Sequence, residues 1–268
     1  MRKVGKFLLF ENASEFAAWL DGTVVSRRVV LAQNHHTWLP DYTTFKGGNH
    51  FDLLHGMEAA HMERGFAEIA QNLTTFPDGS VAVCRSLDKI PAGVKGANAG
   101  GICIENLGNF DEGKDRMTAM HREAIVRVNA ALCRKFGLTP DTDSIVYHHW
   151  YDLNTGLRTN GTGVTKTCPG TAFFGGNTVA DARANFVPQV AAVLAALPVE
   201  TATRPAPIGA FSVNAGSLNV REAPNGSSRV VKQLRRGVHV EVFRKSGDWM
   251  CVHGTESQWA SSRYLVAL

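Results

Sequence analysis

Three short segments carry residue types that bind transition metals. His148 ends an apolar run, Cys168 lies in a loop about twenty residues later, and His35-His36 follow the apolar run 29–31. Imidazole and thiolate are zinc ligands, and a catalytic zinc site uses three protein ligands and keeps a fourth position open for water. Because two strand ends and a loop can meet at one edge of a sheet, these distant positions are predicted to form one metal site.

Residues 100–108 are typical of a buried strand that carries a carboxylate. A repeat of two places Ile102 and Ile104 on one face of the strand, and Cys103 and Glu105 on the other. A carboxylate is costly to bury unless it is paired. Glu105 is therefore either half of a structural ion pair or a functional group, and the pattern alone leaves both open.

Together these motifs resemble the zinc-dependent type-2 N-acetylmuramoyl-L-alanine amidases, a family that includes amidase-type phage lysozymes and peptidoglycan recognition proteins. The resemblance lies in His-His-Thr after one strand, a second His after another, and Lys-x-Cys-Pro-Gly at 166–170. It covers roughly residues 27–190. It implies a Zn2+ cofactor held by His35, His148 and Cys168, where the first His of each pair is taken as the ligand.

The resemblance also implies a reaction, the hydrolysis of the amide between the lactyl group of N-acetylmuramic acid and L-alanine in peptidoglycan. Glu105 matches the general base of many family members, and Lys166 matches the lysine that stabilises the oxyanion. His36 and His149 are then supporting or structural residues. Many relatives have a Tyr that helps catalysis where this chain has Gln71, so no Tyr is predicted in that role here.

The sequence predicts two domains. An α/β (α+β) amidase domain, with a central mixed sheet flanked by helices, is expected over residues 1–197, with an N-terminal extension at 1–25. Prolines indicate a linker at 198–209. Residues 210–268 contain short, regularly spaced strands and resemble a bacterial SH3 domain, a small all-β barrel that often tethers wall hydrolases to peptidoglycan.

Charge and cysteine content indicate where the protein acts. Residues 205–268 carry eight Lys or Arg against four Asp or Glu, while residues 1–204 carry 20 of each, so the whole net charge of +4 lies in the C-terminal part. This excess suggests an anionic cell-wall polymer as its partner. Five widely spaced cysteines without a CxxC motif argue against a disulfide framework. We expect peptidoglycan as the substrate and neither nucleic acid nor a membrane as a partner.

No apolar run approaches the ~20 residues of a membrane helix, and the run at residues 7–10 is too short for a signal peptide. The expectation is therefore a protein made in the cytoplasm that reaches the wall through a holin, lysis or another route. A phage endolysin and a bacterial autolysin both fit this pattern.

The helices and one long loop supply further predictions. Helices are expected at 50–66, at 117–136 with Thr118 as N-cap, and from Thr178 to Leu197 with a kink at Pro188. His50, His55 and His61 are interpreted as surface or partly packed histidines, and the alternative for His50, which follows the flexible loop 46–49, is that it lines the substrate groove. The Gly- and Thr-rich loop 154–163 is expected to wall the cleft or to act as a lid.

Two other classes of function stay open. One is a peptidoglycan recognition protein that binds muropeptides without cutting them, but such members commonly lack the Cys ligand that Cys168 supplies here. The other is a cell-wall cysteine peptidase, a class that also occurs with SH3 domains. Those enzymes place the nucleophilic Cys before the His and near a helix start, whereas Cys168 follows His148 and precedes Pro-Gly.

Overall fold

The computed structural model describes residues 1–197, 206–254 and 257–268. The backbone divides into two compact units, Met1–Leu197 and Pro198–Leu268. Most of the predicted linker, residues 198–205, lies outside the described residues. The predicted architecture, a mixed sheet flanked by helices followed by an all-β unit, is confirmed.

Seven strands of the first unit form one sheet in the order β1-β2-β5-β4-β6-β3-β7. They are β1 (Arg2–Val4), β2 (Phe7–Phe10), β3 (Leu31–His36), β4 (Leu73–Thr75), β5 (Val81–Val83), β6 (Gly101–Asn106) and β7 (Ile145–Tyr147). The four strands β4, β6, β3 and β7 run parallel, and β1, β2 and β5 complete the sheet with antiparallel pairs. The carboxyl ends of the parallel strands therefore meet at one edge, as the metal-site prediction requires.

Helices cover both faces of this sheet. Successive side chains along a strand point to opposite faces, and apolar side chains lie on both of them. On one face, Phe10 and Ile104 pack with α1 (Ala13–Gly22) and α3 (Ala119–Phe136). On the other face, Phe7 and Leu9 pack with α2 (His50–Glu63). The sequence predicted α2 and α3, although both are shorter than expected.

The N-cap of α3 was predicted correctly. Thr118 Oγ1 accepts the His121 N–H at 3.0 Å, which satisfies one of the donors left open at a helix start. The helix ends at Gly137, whose φ of 65° suits glycine.

The last helical segment differs from its prediction. It begins with α4 (Val179–Asp181), passes through a π-helical turn at Ala182–Phe186 and continues as α5 (Val187–Ala196). Pro188 lies in the first turn of α5, where its missing N–H is tolerated, so the chain accommodates the proline with a wide turn just before it.

The second unit forms two antiparallel sheets around one apolar core. Their strands are β8 (Gly209–Val213), β9 (Ser217–Arg221), β10 (Val230–Arg235), β11 (His239–Val242), β12 (Arg244–Ser246), β13 (Trp249–Cys251), β14 (Trp259–Ser261) and β15 (Leu265–Ala267). Among the described residues of the chain, no helix has the length and apolarity to cross a membrane. No disulfide links any of the five cysteines, all of which are described and buried.

Candidate metal and hydrolytic site

Strand β3 positions the first of the candidate ligands. It extends to His36, so both histidines lie within the strand. The sequence had suggested instead that they follow it. Asn34 points toward α3, where it exchanges two side-chain hydrogen bonds with Asn129, at 2.9 and 3.0 Å. Because side chains alternate along a strand, this buried amide pair fixes His35 toward the other face of the sheet.

A hydrogen-bonded chain also holds the backbone of His35. Asn106 Nδ2 donates to the His35 carbonyl at 2.7 Å, and Thr75 Oγ1 donates to Asn106 Oδ1 at 2.8 Å. His121 lies behind Thr75, with Nε2 2.7 Å from Thr75 Oγ1 and Nδ1 2.8 Å from the Tyr42 hydroxyl. The position of His35 is thus tied to β4, β6 and α3 by side chains that are themselves satisfied.

The structure brings His35, His148 and Cys168 together. His148 begins a short 3-10 turn directly after β7, and its Nδ1 lies 3.2 Å from His35 Nδ1. One ligand atom from each of the three residues lies within 4.8 Å of the others, and all three residues are buried.

The loop that carries Cys168 is fixed by its backbone. His149 N–H donates to the Cys168 carbonyl at 2.7 Å, and Gly170 N–H donates to the Thr167 carbonyl at 2.8 Å. Gly170 has φ +116°, and a Cβ at this position would lie 2.4 Å from the Phe110 backbone. Only glycine fits this close approach, so the Cys-Pro-Gly motif has a packing reason for its last residue.

The three side chains fit a zinc ion. Burial drives the pKa of His35 well below its usual value and lowers that of His148 to about 4, so both rings are neutral and present a lone pair at neutral pH. His35 Nε2 is buried with no hydrogen-bond partner among the described residues. Two nitrogens bound tetrahedrally to zinc at 2.0–2.1 Å are roughly 3.3 Å apart, close to the 3.2 Å between these two Nδ1 atoms.

Glu105 lies beside this trio. It pairs with His35 in the parallel register of β3 and β6, and its Oε1 is 3.9 Å from His35 Nδ1. Its Oε2 is buried without a partner among the described residues. Burial raises the pKa of Glu105 to about 8, although the charges of Lys166 and Arg64 act in the opposite direction. The carboxylate is not half of a buried Arg or Lys ion pair in the described residues.

The other predicted residues take separate places. Lys166 lines the same cavity as the trio, and its charge helps to lower the pKa of His35 and His148. His149 Nδ1 donates to the Lys166 carbonyl at 2.7 Å, and His36 Nδ1 accepts the Phe110 N–H at 3.1 Å. The neighbouring histidines thus fix backbone around the site. Gln71 is fully buried, and its Nε2 donates to Thr74 Oγ1 at 3.1 Å.

A second group of potential ligands shares His35. Cys103 and Glu105 each offer a ligand atom within 4.8 Å of His35 and of each other. Cys103 is fully buried, and Gly93 packs against it so closely that a Cβ there would lie 2.7 Å from its sulfur. Cys103 and Cys168 are thus two buried thiols near the same histidine, so a substitution of Cys103 is the matched control for the same substitution of Cys168.

The site opens into a cavity of about 1200 Å³. Trp38, Leu39 and Pro40, which follow β3, form an apolar part of its lining. Helix α2 contributes Gly56 and Ala60, and Arg64 follows directly after its last residue; the spacing of four residues puts the three on one side. Sequence reasoning missed this face, although its four-residue repeat is visible in the sequence.

The structure contradicts the alternative that His50 lines the groove and the hypothesis that the loop 154–163 walls it, whereas a lid role for that loop stays a prediction. His50 does not line the cavity, because it is buried against Phe45 and Phe76 and its Nε2 bonds Asp78 Oδ2 at 2.8 Å. His61, three helical turns later on α2, lines the cavity instead. The loop 154–163, which the structure describes in full, contributes no residue to the cavity lining. Its turn is held by Asp152, whose Oδ1 accepts the N–H groups of Asn154 and Thr155.

Two family models match the chain. The N-acetylmuramoyl-L-alanine amidase model matches residues 26–171, more than half of the chain, and the bacterial SH3 domain model matches residues 216–266. The first match contains every residue of the candidate site. No curated protein sequence matches the chain.

Solved structures with a similar fold come from phage-type amidases and recognition proteins. The endolysin N-acetylmuramoyl-L-alanine amidase LysCS from Clostridium intestinale URNW is 19% identical, covers 55% of this chain and 80% of its own, and has a TM-score of 0.41. Drosophila PGRP-LB is 17% identical, covers 60% and 82%, and has a TM-score of 0.45. At these identities and TM-scores the structural similarity is weak. The family assignment therefore rests on the matches to the two family models.

Proposed function

The chain belongs to the N-acetylmuramoyl-L-alanine amidase family, and we propose that it cleaves its peptidoglycan amide with a zinc ion held by His35, His148 and Cys168. It is a peptidoglycan hydrolase that acts on the bond between N-acetylmuramic acid and L-alanine. The observation that carries the metal proposal is the buried trio, with two neutral imidazoles and a thiol whose ligand atoms all lie within 4.8 Å of one another.

Glu105 is the proposed general base. When bound, zinc supplies Lewis acidity that polarises the amide and lowers the pKa of water. The 3.9 Å between Glu105 Oε1 and His35 Nδ1, and an Oε2 without a partner among the described residues, support a role in which Glu105, kept ionised by a bound cation, takes the proton of the attacking water. The same carboxyl then gives that proton to the nitrogen of L-alanine as the carbon–nitrogen bond breaks.

Lys166 is the proposed oxyanion donor. It lines the cavity two residues before Cys168, and its backbone is held by His149 through the 2.7 Å hydrogen bond to its carbonyl. Negative charge grows on the amide oxygen in the transition state, and a fixed ammonium group at that point stabilises the transition state more than the substrate.

The C-terminal unit is proposed to hold the enzyme on the cell wall. Seven of its eight Lys and Arg residues are exposed, so the positive charge is available to an anionic polymer. Tethering raises the local concentration of the catalytic unit at its substrate without a contact to the scissile bond. An endolysin or an autolysin, released to the wall from the cytoplasm, is the biological role we propose.

Digestion of purified peptidoglycan tests this function. New amino groups on L-alanine are expected, because the amide to the muramic acid is the bond that breaks. New reducing ends would indicate a glycosidase, and other new amino termini would indicate a peptidase. Undigested walls that still bind the protein would support a recognition protein instead. Loss of cleavage after chelation separates the zinc enzyme from a thiol peptidase, which needs no metal.

A further inference from the structure

A large aromatic side chain is exposed beside the proposed site. Trp38 is 60% exposed and lines the cavity that contains His35 and Glu105. Leu39, which follows it and also lines the cavity, is 62% exposed. Neighbouring apolar side chains that are exposed to solvent within a groove are typical of a ligand-binding surface.

The backbone that presents this ring is strained. Trp38 has φ +60°, in the left-handed region that bulky residues rarely adopt. The surrounding structure enforces this conformation, since Trp38 N–H donates to the Gly108 carbonyl at 3.0 Å and Gly108 N–H donates to Thr37 Oγ1 at 2.8 Å. Strain of this kind persists where the surroundings over-determine it, which occurs most often at functional sites.

The position of Trp38 restricts which part of the substrate it can meet. Trp38 lies three positions after His35, so their Cα atoms are at most about 11 Å apart. In the substrate, only a lactyl group separates the scissile amide from the sugar ring of N-acetylmuramic acid. The indole ring carries no charge to pair with the carboxylates of the peptide stem, but its flat face suits the C–H face of a pyranose.

We propose that Trp38 stacks on the pyranose ring of the N-acetylmuramic acid residue whose amide is cleaved, and so forms the sugar subsite of the enzyme. This inference rests on the proposed function. It also gives the orientation of the bound substrate, because the glycan would lie on the side of the cavity formed by residues 37–40. Trp38 does not touch the reacting amide, so it acts on binding and orientation.

Two matched substrates isolate the contribution of the sugar. The first is N-acetylmuramoyl-L-alanyl-D-isoglutamine, and the second is lactoyl-L-alanyl-D-isoglutamine, which has the same scissile amide and lacks the pyranose. The full-length protein with bound metal is assayed as wild type, Trp38→Asn and Trp38→Phe. Asn tolerates the left-handed conformation, so Trp38→Asn removes the ring without adding backbone strain. Val24→Ala, at a side chain that is 82% exposed and does not line the cavity, is the control.

We expect Trp38→Asn to lower kcat/KM for the muramoyl substrate by roughly tenfold, mainly through KM, because it removes one stacking contact. The same variant should leave kcat/KM for the lactoyl substrate unchanged, and Trp38→Phe should retain most of the muramoyl activity. Independently of activity, N-acetylmuramic acid alone should change the fluorescence of the wild type and not that of Trp38→Phe.

Three outcomes would overturn the subsite. One is an equal loss on both substrates, which would make Trp38 a structural residue of the loop. The second is no loss on either substrate. The third is a fluorescence change that persists in Trp38→Phe. A wild type that cleaves neither substrate, but cuts peptidoglycan at another bond, would instead refute the proposed function.

Discussion

His35 and Glu105 occupy opposed positions on the parallel strands β3 and β6, and their side chains approach to 3.9 Å between Nδ1 and Oε1. The backbone register alone therefore places a candidate metal ligand beside a candidate base. His148 enters from the next strand, β7, which pairs with β3 on its other side. The site is thus assembled mainly by strand order, and only Lys166 and Cys168 depend on a loop.

This relationship predicts that Glu105 can be neutralised without loss of the metal. Glu105→Gln keeps the shape of the side chain but cannot accept a proton, so turnover should fall by roughly 10²–10⁴ while zinc content and fold persist. Steady-state kinetics and metal analysis on the same sample check this. Glu63→Gln, in the same cavity lining, is the matched control and should stay near wild type. Near-normal turnover of Glu105→Gln would reassign the base.

Lys166 is predicted to act on the transition state more than on substrate binding. Lys166→Ala should cost about 3 kcal/mol of transition-state stabilisation, seen in kcat with little change in KM. The exposed Lys114, which does not line this cavity, provides the control Lys114→Ala. A Lys166→Ala enzyme that changes only KM would indicate a substrate-binding lysine.

The division into two compact units predicts separable activities. A protein that ends at Leu197 should cleave small soluble muropeptides at close to the full-length rate, because every candidate site residue lies within the first unit. It should clear intact walls more slowly, most visibly at low salt, since charge attraction is screened over about 8 Å at physiological ionic strength. Loss of activity on soluble fragments would show that the C-terminal unit belongs to the catalytic groove.

Stability should fall in mild acid because of a buried histidine. Burial lowers the pKa of His121 to about 3, against about 6.5 in the unfolded chain. Between these values only the unfolded state binds the proton, so the free energy of unfolding should decrease as the pH falls from about 6.5 towards 3, by up to about 1.4 kcal/mol per pH unit. Above pH 6.5 this contribution is fully present.

Denaturant unfolding at several pH values measures this slope. His121→Gln should flatten it, whereas His239→Gln, at an exposed position, should not. If His121→Gln does not fold, the imidazole of the wild type can be followed by NMR and should stay neutral down to about pH 4. An imidazole that protonates near pH 6.5 in the folded protein would contradict the assignment.

Local patterns predicted the elements that carry the site. The apolar runs before His35 and His148 and the period-two pattern around Glu105 located β3, β7 and β6. The helical repeat and caps located α3. These patterns depend only on residues that are close together in the sequence, so they can be recognised without knowledge of the tertiary contacts. The rule that parallel strands end at one edge predicted that His35 and His148 meet, whereas Cys168, which lies in a loop, was assigned by the resemblance of its Lys-x-Cys-Pro-Gly motif to the family.

Features that depend on tertiary contacts were not predictable in the same way. His50 has the sequence context of a groove residue, but its pairing with Asp78 is set by how α2 packs on the β4–β5 turn. The left-handed backbone of Trp38 depends on Gly108, which is 70 residues away in sequence. The π-helical turn at Ala182–Phe186 was not predicted either, since the sequence indicated a kink at Pro188 itself.

The most direct test of the account is the return of zinc to metal-free protein. Zinc is added in fractions of an equivalent while new amino groups on L-alanine are counted in a digest of purified peptidoglycan. Activity should rise from near zero and level off at one zinc per chain, Cys168→Ser should bind less zinc and stay nearly inactive, and Cys103→Ser should behave like the wild type. Full amidase activity in the metal-free protein would contradict the account, as would loss of zinc in Cys103→Ser and not in Cys168→Ser.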